Sequence, residues 1–152
     1  MWHPGPGSAG YYPYIAQNRD SVTKTDVSNS WALRPWEIGM EGSNTGQYSV
    51  LRFTVPKMGK YRIKAVFEGV HVRISTTDVH VLLNSQHLFD AVIEGYGGDP
   101  VLHATVGAHP SATFEDSISL QKGEMLYFAV GYGPNGTFYN DTTGLLITIE
   151  LI

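Results

Sequence analysis

The side chains of this chain best suited to recognition chemistry are aromatic rings set among polar groups in irregular stretches. Trp31 and Trp36 flank Arg34, and Glu37 follows at once, so a span of seven residues carries stacking surface, a planar donor fork and an acceptor. A sugar ring offers an apolar C–H face to such rings, while its hydroxyls call for bidentate polar partners. The segments GYGGDP and GYGPNGTFYND add Tyr96, Tyr132, Asn135, Phe138, Tyr139, Asn140 and Asp141. The competing assignment puts the tryptophans between two sheets, where large aromatics of small β proteins usually go. Trp36, between Pro35 and Glu37, reads as a loop tip.

Asn140-Asp141-Thr142 places several oxygen ligands just before the last apolar run, where a hard cation such as Ca²⁺ would be held by carboxylate and backbone oxygens. An Asx-turn built on Asp141 accounts for the same residues without an ion. Asn135-Gly-Thr and Asn140-Asp-Thr also match the glycosylation sequon. The six histidines show no HxH or HExxH spacing, so no pair is set to present two ligands on one face of one element. Glu37, Glu41, Asp78, Glu94, Asp99 and Asp141 are available as a glycosidase pair, but nothing in their spacing singles out two. With no Gly-x-Ser-x-Gly elbow and no cysteine, neither a serine nor a cysteine nucleophile is supported.

These side chains need a frame, and composition bounds it. A chain of 152 residues fits one domain, and 42% hydrophobic against 16% charged residues argues against disorder. A net charge of −4, with ten Lys and Arg scattered singly, makes no stripe to neutralise phosphates, so nucleic acid is not an expected partner. No apolar run reaches the ~18 residues of a membrane helix, and the first residues lack the charged and apolar regions of a signal peptide. Residues 1–10, MWHPGPGSAG, read as a linker or ordered coil, residues 11–152 as a single domain, and the whole as a piece of a larger protein.

Seventeen glycines, eight prolines and nine tyrosines, with frequent Val, Ile and Thr, point to short strands and tight turns. YYPYIAQ opens a first strand, and residues 18–46 read as a functional loop with one or two short strands. QYSVLRFTV alternates Tyr48, Val50 or Leu51, Phe53 and Val55 and stops at Pro56. YRIKAVFEGV turns Tyr61, Ile63, Ala65 and Phe67 inward and Arg62, Lys64, Val66 and Glu68 outward. VHVRIS reads as a short strand or the continuation of the one before it, and DVHVLLN pairs through Asn84-Ser85-Gln86 with HLFDAVIEGY. TFEDSISL, MLYFAVGYG and GLLITIELI complete the set. The expected architecture is all-β: a β-sandwich of jelly-roll type, two antiparallel sheets of about eight or nine strands, with no helix of three turns.

Over residues 46–152, GQYSVLRFTVPKMGKYRIKAVFEGV, STTDVHVLLNSQHLFDAVIEGYGG and LQKGEMLYFAVGYGPNGTFYNDTTGLLITIEL resemble the jelly-roll modules of large extracellular bacterial proteins. The Gly-Lys-Tyr strand, the V-x-V-x-x-N hairpin, the Leu-x-x-Gly-Glu turn and the Asp before the closing strand resemble carbohydrate-binding module families six and thirty-five. The resemblance implies a non-catalytic accessory domain that binds a plant cell-wall polysaccharide, xylan first. It implies a covalently linked glycoside hydrolase, an extracellular setting, a monomer and a structural Ca²⁺. Those families open on a Glu-rich strand that helps ligate the ion, whereas this chain opens YYPYIAQNRD, so Asp141 is the one metal ligand carried over. Trp36, Arg34, Glu37, Trp31, Tyr96, Tyr132, Tyr139 and Asn140 are the expected sugar-binding residues. The alternatives are a structural or adhesion sandwich of a bacterial surface protein that holds no sugar, and a small glycan-active enzyme with two convergent carboxylates.

Overall fold

A computed structural model describes residues 1–3, 12–74, 76–94 and 110–152 of the chain. Its strands are β1 (Tyr14–Gln17), β2 (Lys24–Thr25), β3 (Ala32–Leu33), β4 (Ile38–Glu41), β5 (Ser49–Thr54), β6 (Gly59–Gly69), β7 (Thr76–Leu83), β8 (Gln86–Glu94), β9 (Ser111–Leu120), β10 (Met125–Val130) and β11 (Thr143–Leu151). No helix occurs among the described residues. β1-β4-β11-β6-β9 form one sheet, β5-β10-β7-β8 a second, and β2-β3 a small ribbon. All pairings are antiparallel. Numbered from β4, the eight long strands run first-eighth-third-sixth in one sheet and second-seventh-fourth-fifth in the other, which is the jelly-roll order.

The two-residue period of each strand decides which side chains meet between the sheets. β6 contributes Tyr61, Ile63, Ala65 and Phe67, β7 contributes Val79 and Val81, and β10 contributes Leu126, Phe128 and Val130, all buried in one core cluster. On β5 the inward set is Leu51 and Phe53, with Val55 just beyond the strand, while Tyr48 and Val50 face out. Residues 70–74 of VHVRIS form no strand: His71 makes an isolated bridge to Trp31, and the chain then bends. Residues 18–46 hold three strands, β2, β3 and β4.

Two residues of β6 expected to face solvent, Val66 and Glu68, are buried. The reason is a third layer. The segment around β3 lies over this end of the five-stranded sheet, so that Arg34 reaches Glu68 and the Glu37 carboxylate lies where a Cβ on Gly144 would be, at 2.5 Å. Glycine at 144 is what leaves room for that carboxylate.

Candidate functional site

A cleft of about 450 Å³ opens where the turn over residues 26–30 meets the segment leading into β11. Asp26 builds the first wall. Its Oδ1 accepts the N–H groups of Ser30 at 2.6 Å and Trp31 at 3.1 Å, and its Oδ2 accepts the Ser28 N–H at 3.2 Å and the Ser28 hydroxyl. Burial opposes ionisation, but the Ser28 hydroxyl and these N–H groups hold the carboxyl below its ordinary value. The turn delivers Trp31 to the cleft. The Trp31 ring stacks on Tyr14 with centroids 6.4 Å apart and planes at 30°.

Tyr12, Phe138 and Tyr139 supply the facing aromatic surface, with Phe138 4.8 Å from the Tyr12 ring and 4.5 Å from that of Tyr139. Asn140, held at φ +69°, sits at the same cleft, and His71 closes another side. The His71 Nδ1 accepts the Arg73 N–H at 3.0 Å, and burial lowers its affinity for a second proton, so the ring is neutral and its Nε2–H is a donor. At the floor, Thr142 Oγ1 donates to Glu41 Oε2 at 2.6 Å, and the Tyr14 hydroxyl lies 3.3 Å from Thr142 Oγ1. Burial raises Glu41 to about 7. The cleft thus combines aromatic rings with hydroxyls, an amide, an imidazole and carboxylate oxygens.

Behind this floor lies Asp141, fully buried, with neither carboxylate oxygen hydrogen-bonded. Burial and the charges of Glu41 and Asp78 raise it to about 8, against the help of the Thr76 backbone. The Thr76 hydroxyl is also buried without a partner. A carboxylate sealed from water with only the Thr76 backbone N–H to help it is strongly disfavoured. A buried carboxylate suits a hard divalent cation, and Asp141 is the residue that would hold one.

The expected sugar-binding residues divide accordingly. Trp31, Tyr139 and Asn140 line the cleft. Arg34 and Glu37 are corrected to structural residues: both are buried, Arg34 Nη2 lies 3.0 Å from Glu37 Oε1, and the Arg34 N–H donates to Glu37 Oε2 at 2.7 Å. A local turn returns the guanidinium onto its own neighbour and onto Glu68, and it does not line the cleft. Trp36 is exposed at 61% of its surface but does not line the cleft. Tyr132 packs its ring against Gly46 and Gly136 away from the cleft lining. Tyr96 lies outside the described residues.

Sequence reasoning missed Tyr12, Asp26, Ser28, Ser30, His71 and Glu41 as cleft residues. The Asp-x-Ser-x-Ser text at 26–30 is an Asx-turn signal that marks the first wall. Nothing local to Tyr12, His71 or Glu41 announces that their segments converge.

The comparisons with known proteins are of fold. No protein-family model matches the chain, and no curated protein matches it. Among solved structures, it is similar to a carbohydrate-binding module described as Xyl-CBM35 in complex with a glucuronic acid-containing disaccharide, with 8% identity and a TM-score of 0.42, covering 90% of this chain and 96% of that one. A family 4 carbohydrate-binding module matches with 15% identity and a TM-score of 0.41 over 91% of this chain and 86% of that one. Rabbit GITRL matches with 8% identity and a TM-score of 0.35 over 88% and 79%. The likeness thus spans sugar-binding modules and a protein of another kind, and no residue role passes through it to this chain.

Proposed function

We propose that this domain binds a neutral polysaccharide without transforming it. The observation that carries the reading is the cleft itself, in which Trp31 and Tyr139 offer ring surface, backed by the buried Phe138, beside Ser28, Ser30, His71 and Asn140. Stacking on C–H faces supplies affinity, and the polar groups between the rings fix which hydroxyls fit. One or two stacked rings and a few solvent-competed hydrogen bonds correspond to roughly micromolar to millimolar binding. A plant cell-wall glycan, xylan first, is the ligand class. In the parent protein, the domain acts outside the cell as a monomeric module that holds a linked glycoside hydrolase near its substrate. A Ca²⁺ ion on Asp141 stiffens the strand entrance beneath the cleft.

The non-catalytic part of the reading rests on Asp26 and Glu41. A glycosidase needs one carboxylate to give a proton and another free to act as base or nucleophile. Both oxygens of Asp26 are occupied by its own turn, and Glu41 is buried under Thr142.

Affinity electrophoresis against xylan, glucans, mannans and pectins, with and without EDTA, tests the proposal. Retardation in at least one gel, with no release of reducing ends, is the expected result. A folded chain that runs unretarded in every gel is instead the structural or adhesion module. Turnover abolished by a single acid-to-amide change overturns the non-catalytic assignment.

A further inference from the structure

On the outer face of the four-stranded sheet, away from the cleft residues, two histidines and an aspartate converge. His80 on β7 stands opposite Asp90 on β8 in the strand register. His87 is three residues before Asp90, an odd separation that would ordinarily turn the two side chains to opposite faces. A bulge removes the mismatch. Val81 pairs with Phe89 and Leu82 with His87, so Leu88 is the extra residue and His87 swings onto the face of His80 and Asp90. His87 Nδ1 lies 2.7 Å from Asp90 Oδ1, and His80 Nδ1 contacts the same oxygen.

The second observation lies behind His80. Its Nε2 is 2.8 Å from Asp78 Oδ2, which also accepts the Tyr48 hydroxyl at 2.5 Å, while Asp78 Oδ1 accepts the Gly133 N–H at 2.7 Å. A carboxylate only accepts, so with Asp78 on Nε2 and Asp90 on Nδ1 the ring without an ion donates from both nitrogens and bridges the two carboxylates. An ion bound at Nδ1 would replace the proton on that side and leave the Nε2–H on Asp78. A histidine oriented by a carboxylate on one nitrogen, with the other left to bind, is the arrangement of metal-ligating imidazoles.

We propose that His80, His87 and Asp90 form a surface site for a divalent transition ion of the zinc, nickel or copper class, with Asp78 as the positioning residue. The three ligand atoms lie within 4.8 Å of one another. Metal bonds of about 2.0–2.2 Å need ligand atoms a little over 3 Å apart, so the contact to Asp90 must open slightly. Asp90 and His87 are half-exposed and free to move outward, while His80 is anchored. Two imidazole nitrogens with one carboxylate select a borderline ion over Ca²⁺ or Mg²⁺. Three protein ligands leave at least one position for water or an exogenous ligand, beside an apolar groove of about 310 Å³ walled by Tyr48, Val50, Leu82 and Ala129.

Calorimetric titration of the full chain with zinc chloride, with magnesium chloride as control, tests the site. One saturable zinc site and no magnesium site are expected, and cobalt should give the visible absorption of a bound ion. His87→Ala, at an exposed position, should keep the urea midpoint and remove the binding. Asp78→Asn should weaken it ~10- to 100-fold. Absence of saturable zinc binding overturns the proposal. So does undiminished binding in folded His87→Ala, which would assign the ion to other histidines.

Discussion

Arg34 Nη2 lies 2.6 Å from Glu68 Oε2, and both side chains are sealed between the five-stranded sheet and the segment that covers it. The same guanidinium meets Glu37 at 3.0 Å, so one cation holds two buried carboxylates. Removing it takes this ion pair from both buried carboxylates. Arg34→Ala should therefore destabilise the fold by ~3–5 kcal/mol in urea unfolding. The fraction still folded should bind glycan as the parent does. A stable Arg34→Ala protein that has lost binding would place the guanidinium at the ligand after all.

The cleft separates two exposed aromatics that look alike in the sequence. Tyr139 is 68% exposed and lines the cleft, whereas Trp36 is 61% exposed and does not. Loss of one stacked ring corresponds to about 1–1.5 kcal/mol, roughly a tenfold change in Kd. In the gel that retards the parent chain, Tyr139→Ala should lower affinity by about that factor. Trp36→Ala should leave retardation unchanged. The opposite pattern would move the binding surface to the Pro35–Trp36 turn.

Trp36 also carries backbone strain. It is the third residue of a turn closed by the Glu37 N–H on the Arg34 carbonyl at 3.1 Å, with Pro35 before it and φ +67° at Trp36 itself. That position of a type II turn favours glycine, and the left-handed region costs a side chain about 1–2 kcal/mol. Glycine also gains entropy in the unfolded chain, which offsets part of the relief. Trp36→Gly should raise the urea midpoint by up to ~1 kcal/mol in stability. A loss above that size would mean that the indole makes contacts which outweigh the strain.

Glu41 and Asp141 predict how pH and calcium act together. Burial lifts them to about 7 and about 8. Between the ordinary carboxylate range and those values, the folded chain binds more protons than the unfolded one, so ΔG of unfolding falls as pH rises. In EDTA, the melting temperature should decline from about pH 5 to pH 8 through these two groups, and then level off. Millimolar calcium should remove the Asp141 part of that decline, the part that runs furthest toward pH 8, by taking the place of the proton on Asp141. At a hundredfold excess over Kd the added stability is ~2.7 kcal/mol. Asp141→Asn should lose the calcium response. A pH profile that calcium does not alter would remove the ion from this site.

Close packing beneath the histidine cluster gives a further check. A Cβ at Gly131 would lie 2.4 Å from Asp78 Oδ1 and 2.6 Å from the Tyr48 ring. Gly131→Ala should destabilise by about 1–3 kcal/mol, because backbone and a hydrogen-bonded pair must shift together. A neutral effect in urea unfolding would show that the Tyr48–Asp78 pair is free to move.

Strand chemistry was plain along the chain because a half-buried strand writes its period into its own residues. Tyr61, Ile63, Ala65 and Phe67, then Val79 and Val81, are apolar at every second position and all are buried. The absence of cysteine, the scattered charge and the turn residues likewise depend on nothing distant. Facing is another matter wherever a second layer intervenes. Glu68 reads as an outward residue on β6 and is buried only because Arg34 folds over it from thirty-four residues away in the chain.

The sites belong to the tertiary structure for the same reason. Trp31 and Tyr139 share a cleft because the five-stranded sheet brings the start and end of the chain together, a closure that no local pattern encodes. His80 and His87 have no metal-ligand spacing along the sequence, yet hairpin register and a single extra residue at Leu88 bring them to one face. Side-chain periodicity is set by neighbouring backbone angles and can be read locally. Which faces meet is set by long-range pairing, whose energy resides in contacts that exist only once the sandwich has closed.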